Sequence, residues 1–438
     1  MWLLPFFSGV SRFAVRTFYR LQADGPHVPH AGPVLLVANH PNSLLDPAMV
    51  VAVARRPVRF LAKAPLFTDP MVGWLIRASG SIPVHRKVDG EVQAGANDDT
   101  FRAVHDALAH GSAVGIFPEG TSHSEPSLVP LKTGAARIAL GAVPRVGGPF
   151  PIIPVGLSLR DKEIFRSDVI VIAGRAVAWD DLAGAGEDDV AAVRELTRRI
   201  DAALHEVTVN LERWEDSALV EAAAAIYAAE FPAPRRPATR VAVAREASER
   251  LSVLRGGGHG EWKAVAREVR GHARMLGVLG LTPTTLQRAA EGRGSLAAWT
   301  ASRLAFFALG APIAAVGMAV FWIPYRLTGV VEQRFRPMKD VRATYKVLVG
   351  GLLHLLWIAL LAIAAGIAAG PWAAAAALIG LPLVGLTTLR VIERWAVTTA
   401  QARRFLLRAT RRRTLAELRE RQRLLGLRLR DLYEGVPA

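Results

Sequence analysis

The feature that most limits how this chain folds is a run of 43 residues, between Lys346 and Arg390, that holds no Asp, Glu, Lys or Arg. About 20 apolar residues cross the hydrocarbon of a bilayer, so the run is too long for one span and suits two. Gly370 and Pro371 lie near its middle, where they favour a turn. The run therefore predicts a transmembrane hairpin and places part of the chain in a membrane.

Positive charges beside the apolar segments predict their orientation. Both ends of the hairpin are basic, and cytoplasmic loops collect Lys and Arg, so both ends are expected in the cytoplasm. A further apolar stretch, 304–323, has Arg303 before it and Arg326 after it and is interrupted at Gly310-Ala311-Pro312. Because positive flanks on both sides do not suit a single crossing, we expect a re-entrant or in-plane helix pair there.

The chain ends in a strongly basic segment. Half of the net charge of +16 comes from 390–438, which holds 13 Arg against 5 acidic residues. Such a balance fits nucleic acid, an anionic membrane or phosphorylated substrates. The part 401–433 has the pattern of an Arg-rich amphipathic helix, Leu-rich around 424–429, and suits anionic lipid. No nucleic-acid partner is expected, because no recognised nucleic-acid-binding motif accompanies the charge.

Residues 2–20 predict an amphipathic helix at the membrane interface. Arg12, Arg16 and Arg20 recur every four residues and therefore share one face. Apolar surface comes from Phe6, Val10, Phe13 and Phe18. The same pattern fits an ordinary helix docked on the neighbouring domain, so both interpretations stay open.

Apolar runs and amphipathic segments alternate from Gly32 to about Gly174. Strands are predicted at 34–38, 58–62, 81–84, 113–117, 151–157 and 168–173. Helices are predicted at 47–54, 69–79, 98–110 and 133–142, followed by a long one at 187–213. This alternation predicts an α/β fold: a mixed, largely parallel sheet flanked by helices. A helical region and the C-terminal transmembrane hairpin follow it.

The same patterns predict five segments. They are an amphipathic membrane-interface helix at 1–21, an α/β domain at 22–213, a helical region at 214–300, membrane segments at 301–390 and a basic amphipathic helix at 391–438. The α/β domain is the part in which the chemistry of the chain is expected to lie.

Two polar turns follow predicted strands, where α/β folds gather their chemistry. One is Asn39-His40-Pro41-Asn42-Ser43-Leu44-Leu45-Asp46, and the other is Phe117-Pro118-Glu119-Gly120-Thr121-Ser122. The first turn supplies a histidine with a carboxylate a few residues on, which is the minimum for a general base and the group that orients it. A lone histidine in a turn is more often structural, and an Asp before a proline is often a helix cap. The pair therefore needs the support of other motifs.

Two further blocks extend the pattern, Gly80-Ser81-Ile82-Pro83-Val84-His85-Arg86 and Pro151-Ile152-Ile153-Pro154-Val155-Gly156-Leu157. In this order the four blocks resemble those of the glycerolipid acyltransferase family, whose members acylate glycerol 3-phosphate or lysophospholipids. The resemblance covers roughly 22–210, and four blocks in order are far more specific than one. With its apolar C-terminal hairpin, the chain is similar to the membrane-anchored glycerol-3-phosphate acyltransferase-like branch.

The resemblance implies roles for particular residues. His40 would be the general base, and Asp46 would fix its tautomer and stabilise the imidazolium. Arg86 would clamp the acceptor phosphate, because a guanidinium grips phosphate through two parallel hydrogen bonds. The other substrate-binding candidates are Glu119, Gly120, Thr121, Lys132 and Lys63. The remaining histidines of the domain, His123 among them, are expected to be surface or core residues.

The chain departs from the family pattern at two positions. Five residues separate His40 from Asp46, whereas four are usual, so the turn after His40 must take up one extra residue. Many members carry an arginine where this chain has Ser122, so a cation for the substrate phosphate must come from elsewhere. Lys132 is one candidate, because it opens a predicted helix whose first N–H groups also attract anions.

The function implied is a membrane-bound O-acyltransferase of phospholipid biosynthesis, with its catalytic domain on the cytoplasmic side of the inner membrane. Its partners would be a phospholipid membrane, an acyl donor and a phosphorylated glycerol acceptor. No cofactor is expected beyond acyl-CoA or acyl-carrier protein as co-substrate, and no metal, because no His, Asp or Glu grouping has metal spacing. Glycerol 3-phosphate and 1-acyl-glycerol 3-phosphate stay open as acceptors. The alternative is a non-catalytic lipid-binding scaffold, which would be expected to have lost His40, Asp46 or Glu119-Gly120.

Overall fold

The computed structural model describes residues 3–25, 27–70, 72–85, 96–231, 234, 236–256, 260–291, 296–335 and 341–434. They form two compact units, each described by itself below. The catalytic unit comprises 1–214, 234–249 and 338–344, and the helical unit comprises 215–233, 250–337 and 345–438.

The catalytic unit is built on one seven-stranded sheet. Its strands are β1 (Arg20–Asp24), β2 (Val34–Ala38), β3 (Val58–Lys63), β4 (Ile82–Val84), β5 (Ala113–Ile116), β6 (Ile152–Leu159) and β7 (Asp168–Ala173). Their order is β1-β7-β6-β2-β5-β3-β4. All neighbours are parallel except β6 and β7, which pair antiparallel. The carboxyl ends of β2, β3, β4, β5 and β6 therefore meet at one edge of the sheet.

Helices cover this sheet. They are α1 (Leu3–Phe18), α2 (Leu45–Ala54), α3 (Pro65–Thr68), α4 (Gly73–Ala78), α5 (Ala96–Ala109), α6 (Gly134–Val146) and α7 (Val190–Val207). Every residue of β2 and of β5 is buried, as expected for central strands with both faces covered. The predicted fold class is confirmed, and every predicted strand corresponds to one of β2–β7.

The amino-terminal segment differs from the sequence prediction at its end. The helix stops at Phe18, and Arg20 begins β1, an unpredicted strand that pairs with β7. Arg20 forms an ion pair with Asp168 at 2.9 Å and so leaves the predicted arginine stripe. Val15 and Phe18 are buried, so the helix docks on its own unit, while Phe6, Val10 and Phe13 are exposed. Contact of this exposed face with a membrane stays a prediction.

The helical unit contains α8 (Ser217–Glu230), α10 (Glu261–Leu279), α11 (Pro283–Glu291), α12 (Leu296–Phe335), α14 (Pro371–Thr410) and α15 (Arg412–Glu434). Two more helices, α9 (Pro237–Gly256) and α13 (Arg342–Ala369), begin in the catalytic unit and end in the helical one. Gly370, at φ +85°, separates α13 from α14, which agrees with the turn expected there.

Within the described residues, three helices are long and apolar enough to cross a membrane, over Phe306–Phe335, Arg342–Ala369 and Pro371–Leu407. The helix pair expected at 304–323 is wrong, because α12 runs unbroken through Pro312 and Pro324. Proline tolerated in this way is common in membrane helices, where neighbouring groups satisfy the freed carbonyls.

The basic tail also differs from its prediction. The helix expected at 401–433 is divided at Arg411, where α14 ends and α15 begins. Leucines of α15 pack against protein: Leu415 and Leu418 form a buried cluster with Leu276, Leu281, Leu286 and Leu407. Of the leucines predicted to face lipid, Leu425 and Leu429 are buried and Leu424 is 48% exposed, so much of that face is covered by protein.

Candidate active site

His40 and Asp46 meet at the carboxyl edge of the sheet. His40 follows β2, and Asp46 lies in the first turn of α2. The Nδ1 atom of His40 lies 2.8 Å from Oδ2 of Asp46. Because an ionised carboxylate only accepts, Nδ1 carries the proton in this pair and Nε2 keeps its lone pair. His40 therefore has the tautomer that a general base requires.

The turn after His40 takes up its extra residue at Ser43. Ser43 has φ +51°, in the left-handed region that L-residues rarely occupy. This backbone lets the N–H of Asp46 donate to the carbonyl of Ser43, at 3.2 Å. It also directs the N–H of Asn42 to Oδ2 of Asp46 at 2.7 Å. One oxygen of Asp46 thus accepts from both His40 and Asn42.

Asp46 is 0% exposed. Burial raises the pKa of the Asp46 carboxyl above its usual range, because an apolar surrounding disfavours the charged form. The hydrogen bond and the charge of His40, together with the N–H of Asn42, act against that rise. The buried carboxylate is therefore held by the histidine that it orients.

Glu119 fixes the backbone of His40. Its side chain is buried, and Oε1 accepts the N–H of His40 at 2.6 Å. Its Oε2 accepts the N–H of Val129 at 3.3 Å and contacts Nε2 of His123. Glu119 was predicted to bind substrate, yet these contacts place its carboxylate behind His40, where it positions the catalytic turn.

Gly120, Thr121 and Lys132 lie at or beside the second turn. Gly120 has φ +75°, and a Cβ there would lie 2.6 Å from Nζ of Lys132. The Lys132 N–H donates to the carbonyl of Pro118 at 2.8 Å, so this lysine lies over the turn at the start of α6. Thr121 and Lys132 are exposed. The ammonium group of Lys132 therefore borders the turn that holds Glu119.

Two predicted cations occupy other positions. Lys63 is exposed at the end of β3, on the same edge of the sheet as His40. Arg86 lies outside the described residues.

An aromatic ring fixes the plane of the His40 imidazole. Phe117 stacks on it, with ring centroids 4.0 Å apart and planes inclined by 12°. With Nδ1 bonded to Asp46 and the backbone bonded to Glu119, three separate contacts restrain one side chain. Restraint of this kind is what a catalytic base needs to meet its substrate at a fixed angle.

Lys162, which the sequence did not single out, connects the two catalytic turns. Its Nζ donates to the carbonyl of Pro41 at 2.8 Å and to Oγ of Ser124 at 2.7 Å. The carbonyl of Lys162 accepts the hydroxyl of Tyr19 at 2.5 Å. That hydroxyl accepts in turn from the side-chain amide of Asn42 at 2.8 Å. These bonds tie the β6–β7 loop to the turn between His40 and Asp46.

His123, predicted to be a surface or core residue, lies against the candidate site. Its N–H donates to the carbonyl of His40 at 3.2 Å. Its Nε2 bonds Glu119, which raises the pKa of His123, and its Nδ1 accepts the N–H of Glu125 at 3.2 Å. Since both ring nitrogens are engaged inside the protein, His123 supports Glu119. Its place four residues after Glu119 is the one sequence signal that pointed to this role.

The described residues contain no ligand set for a metal ion. No group of three or more His, Asp or Glu side chains in them is arranged to hold an ion. The chemistry supported here is proton transfer by an oriented imidazole at an open sheet edge.

Part of the chain is similar to known acyltransferases. Residues 20–158 match the family model described as Acyltransferase. Glycerol-3-phosphate O-acyltransferase 2 of Saccharomyces cerevisiae is 35% identical over 136 residues, which cover 30% of this chain and 18% of that protein. The chloroplastic 1-acyl-sn-glycerol-3-phosphate acyltransferase BAT2 of Brassica napus is 28% identical over 146 residues, which cover 33% of this chain and 39% of that protein.

A solved structure, that of the 1-acyl-sn-glycerophosphate acyltransferase PlsC from Thermotoga maritima, is matched with a TM-score of 0.32 and 22% identity, over 44% of this chain and 77% of that one. The chain spans only 18% and 39% of the lengths of the two curated relatives named above. The family match covers β1 to β6, the strands that carry the turns of His40 and Glu119. The part of the sheet that carries both turns is therefore similar to acyltransferase-family domains.

Proposed function

We propose that the protein is a membrane-bound O-acyltransferase of phospholipid biosynthesis. It moves an acyl chain from acyl-CoA, or acyl-carrier protein, to a hydroxyl of glycerol 3-phosphate or 1-acyl-glycerol 3-phosphate. The observation that carries the proposal is the His40–Asp46 pair, at 2.8 Å, in a domain similar to those of the acyltransferase family. The names of the matched relatives support the two acceptors.

The proposed reaction needs no nucleophile from the protein. Nε2 of His40 takes the proton of the acceptor hydroxyl while that oxygen attacks the thioester carbonyl carbon. Asp46 stabilises the imidazolium that forms, as in other carboxylate–histidine pairs. The tetrahedral intermediate then breaks its C–S bond, and the thiolate leaves and takes the proton from His40. The products are the ester and the free thiol, and His40 is neutral again.

The acceptor phosphate needs a cation, and three are proposed. Lys132 stands beside Gly120 at the amino terminus of α6, where helix N–H groups also favour an anion. Lys63 lies on the same sheet edge. Arg86 is proposed from the family resemblance alone, as the bidentate clamp that lysine does not replace.

The catalytic domain is proposed to face the cytoplasm, at the inner membrane, where acyl-CoA and glycerol 3-phosphate are made. Within the helical unit, α11 precedes the three apolar helices and α15 follows them, and their leucines share one buried cluster. Residues packed together in this way lie on one side of a membrane. This packing supports an even number of crossings, so that one of the three apolar helices does not make a full crossing.

The experiment that tests the proposal is product identification. Membranes containing the protein are incubated with radiolabelled acyl-CoA and either glycerol 3-phosphate or 1-acyl-glycerol 3-phosphate, and the lipids are separated. A labelled product with one acceptor, absent in His40→Ala membranes, supports an acyltransferase and names its acceptor. If neither acceptor is labelled from acyl-CoA or from acyl-carrier protein, the enzyme proposal fails. The alternative, a lipid-binding scaffold, then becomes the better account.

A further inference from the structure

The loop between β6 and β7, residues 160–167, presents two large apolar side chains to solvent. Ile164 is 57% exposed and Phe165 is 38% exposed. The loop is ordered by its own backbone: the N–H of Ile164 donates to the carbonyl of Asp161 at 3.2 Å, and that of Ser167 to the carbonyl of Ile164 at 3.1 Å. Adjacent apolar side chains held outward on an ordered turn indicate a contact surface.

This loop packs against the carboxyl end of α1. Phe165 packs edge-on against Phe18, with centroids 5.6 Å apart. Arg166, at φ +63°, donates from its guanidinium to the carbonyls of Arg16 and Thr17, at 2.7 and 3.0 Å, and so closes the carboxyl end of α1. The helix that Phe165 contacts through Phe18 also exposes the apolar side chains of Phe6, Val10 and Phe13.

The surroundings of this surface point to lipid as its partner. Arg160 and Arg166 belong to the loop, Arg12 and Arg16 belong to α1, and basic residues beside apolar side chains suit anionic headgroups. Glu163 of the loop pairs with Arg342 at 2.7 Å, and Arg342 is the first residue of the apolar helix Arg342–Ala369. The loop is therefore paired with the residue at which a helix long and apolar enough to cross a membrane begins.

We propose that the loop 160–167 inserts Ile164 and Phe165 into the headgroup layer of the membrane. The same loop carries Lys162, whose Nζ holds the carbonyl of Pro41 in the catalytic turn. Contact with lipid would thus fix the height of His40 above the bilayer, at the depth where an amphiphilic acceptor presents its hydroxyl. This second consequence rests on the proposed acyl transfer, whereas the insertion itself does not.

Because the chain has no cysteine, single labels test the insertion directly. Ile164→Cys and, as a matched control, Val190→Cys on α7 (53% exposed) are labelled with an environment-sensitive nitrobenzoxadiazole dye in the full-length protein. Both are placed in nanodiscs of phosphatidylethanolamine and phosphatidylglycerol, with and without lipids spin-labelled near the headgroup. The label at position 164 should show blue-shifted emission and strong quenching, and the label at 190 neither. Equal emission and equal quenching at both positions would overturn the proposal.

A second pair of variants tests the consequence for the reaction. Phe165→Asp should raise KM several-fold for a long-chain acceptor in vesicles, while leaving KM for a water-soluble short-chain acceptor unchanged. Val190→Asp should change neither. If Phe165→Asp slows both acceptors equally, the loop acts only as a structural support and the consequence is rejected. If no acyl transfer is found at all, the proposed function fails, and the fluorescence result still decides the insertion.

Discussion

Replacing Asp46 by asparagine separates the charge of the carboxylate from its geometry. The oxygen that accepts from His40 also accepts the N–H of Asn42, at 2.7 Å. An amide NH₂ at the position of Oδ2 would face the N–H of Asn42, which is also a donor. The carbonyl oxygen of the new asparagine should therefore occupy that position. His40 then keeps its proton on Nδ1 and its lone pair on Nε2. The variant therefore loses the negative charge while it retains the tautomer.

The expected loss follows from that charge. Two unit charges about 4 Å apart interact by roughly 4 kcal/mol at the effective dielectric of protein sites. This attraction stabilises the imidazolium formed in the transition state, and about 1.4 kcal/mol corresponds to a factor of ten in rate. Asp46→Asn should then lower kcat on the order of 10³-fold. An analogous asparagine that also turns the histidine to the wrong tautomer costs about 10⁴-fold in a serine protease, so the predicted loss is smaller.

The stability of the folded protein should not fall together with kcat. Burial raises the pKa of Asp46 in the folded state, so between its unfolded and folded pKa values the folded protein binds more protons than the unfolded one. The free energy of unfolding therefore falls as pH rises through that window, and the ionised carboxylate is a cost at neutral pH. Asp46→Asn removes this cost, but its NH₂ takes the buried position of Oδ1, which has no hydrogen-bond partner, so Tm at pH 7.5 should change little.

The assay is initial-rate acyl transfer with the better acceptor, beside thermal unfolding of the same preparations. His40→Ala and the double variant His40→Ala with Asp46→Asn are the controls. Because the pair acts as a unit, the double variant should be no slower than His40→Ala alone. Near-normal turnover of Asp46→Asn would refute the role of the carboxylate. A lowered Tm would attribute the loss of rate to unfolding instead.

Three further outcomes are expected. Glu119→Gln should lower kcat about 10- to 100-fold with little change in either KM, because one new NH₂ must face a backbone donor or His123; a change confined to KM would contradict a positioning role. Gly120→Ala should lower stability by about 1–2 kcal/mol, because φ +75° disfavours a side chain, and should displace Lys132; unchanged Tm would contradict this. Arg86→Lys should raise KM for the phosphorylated acceptor more than KM for the acyl donor, and an equal rise would count against the acceptor clamp.

The His40–Asp46 pair was predictable from sequence because its two residues lie close together along the chain. His40 and Asp46 are six positions apart, on a strand end and the following helix, so their meeting depends on one turn. Even the extra residue was expected in that turn, although its place at Ser43, with φ +51°, required the structure. The motif identified Glu119 as a candidate, but it did not predict which groups the carboxylate of Glu119 contacts. A strand-end carboxylate faces substrate or backbone according to contacts that the motif does not contain.

The distant part of the site was not predictable. Lys162 reaches Pro41 across 121 positions, because β6 is parallel to β2 and its loop emerges at the same edge of the sheet. A single sequence gives the strands but not their order, so no spacing pointed to this lysine. β1 was missed for a related reason: Arg20 to Asp24 is largely polar, and its strand conformation comes from pairing with β7 rather than from its own pattern.

The basic tail shows what an amphipathic pattern leaves open. A helix with one apolar face must cover it, and the pattern does not say whether lipid or protein provides the cover. In α15 the cover is protein, since Leu415 and Leu418 are buried with leucines of α10 and α11. This packing has a consequence for topology. It holds the segments before and after the three apolar helices on the same side of the membrane. We therefore expect reporter fusions placed before α12 and after α15 to report the same compartment. Opposite compartments would require an odd number of crossings and would separate the leucine cluster across the bilayer.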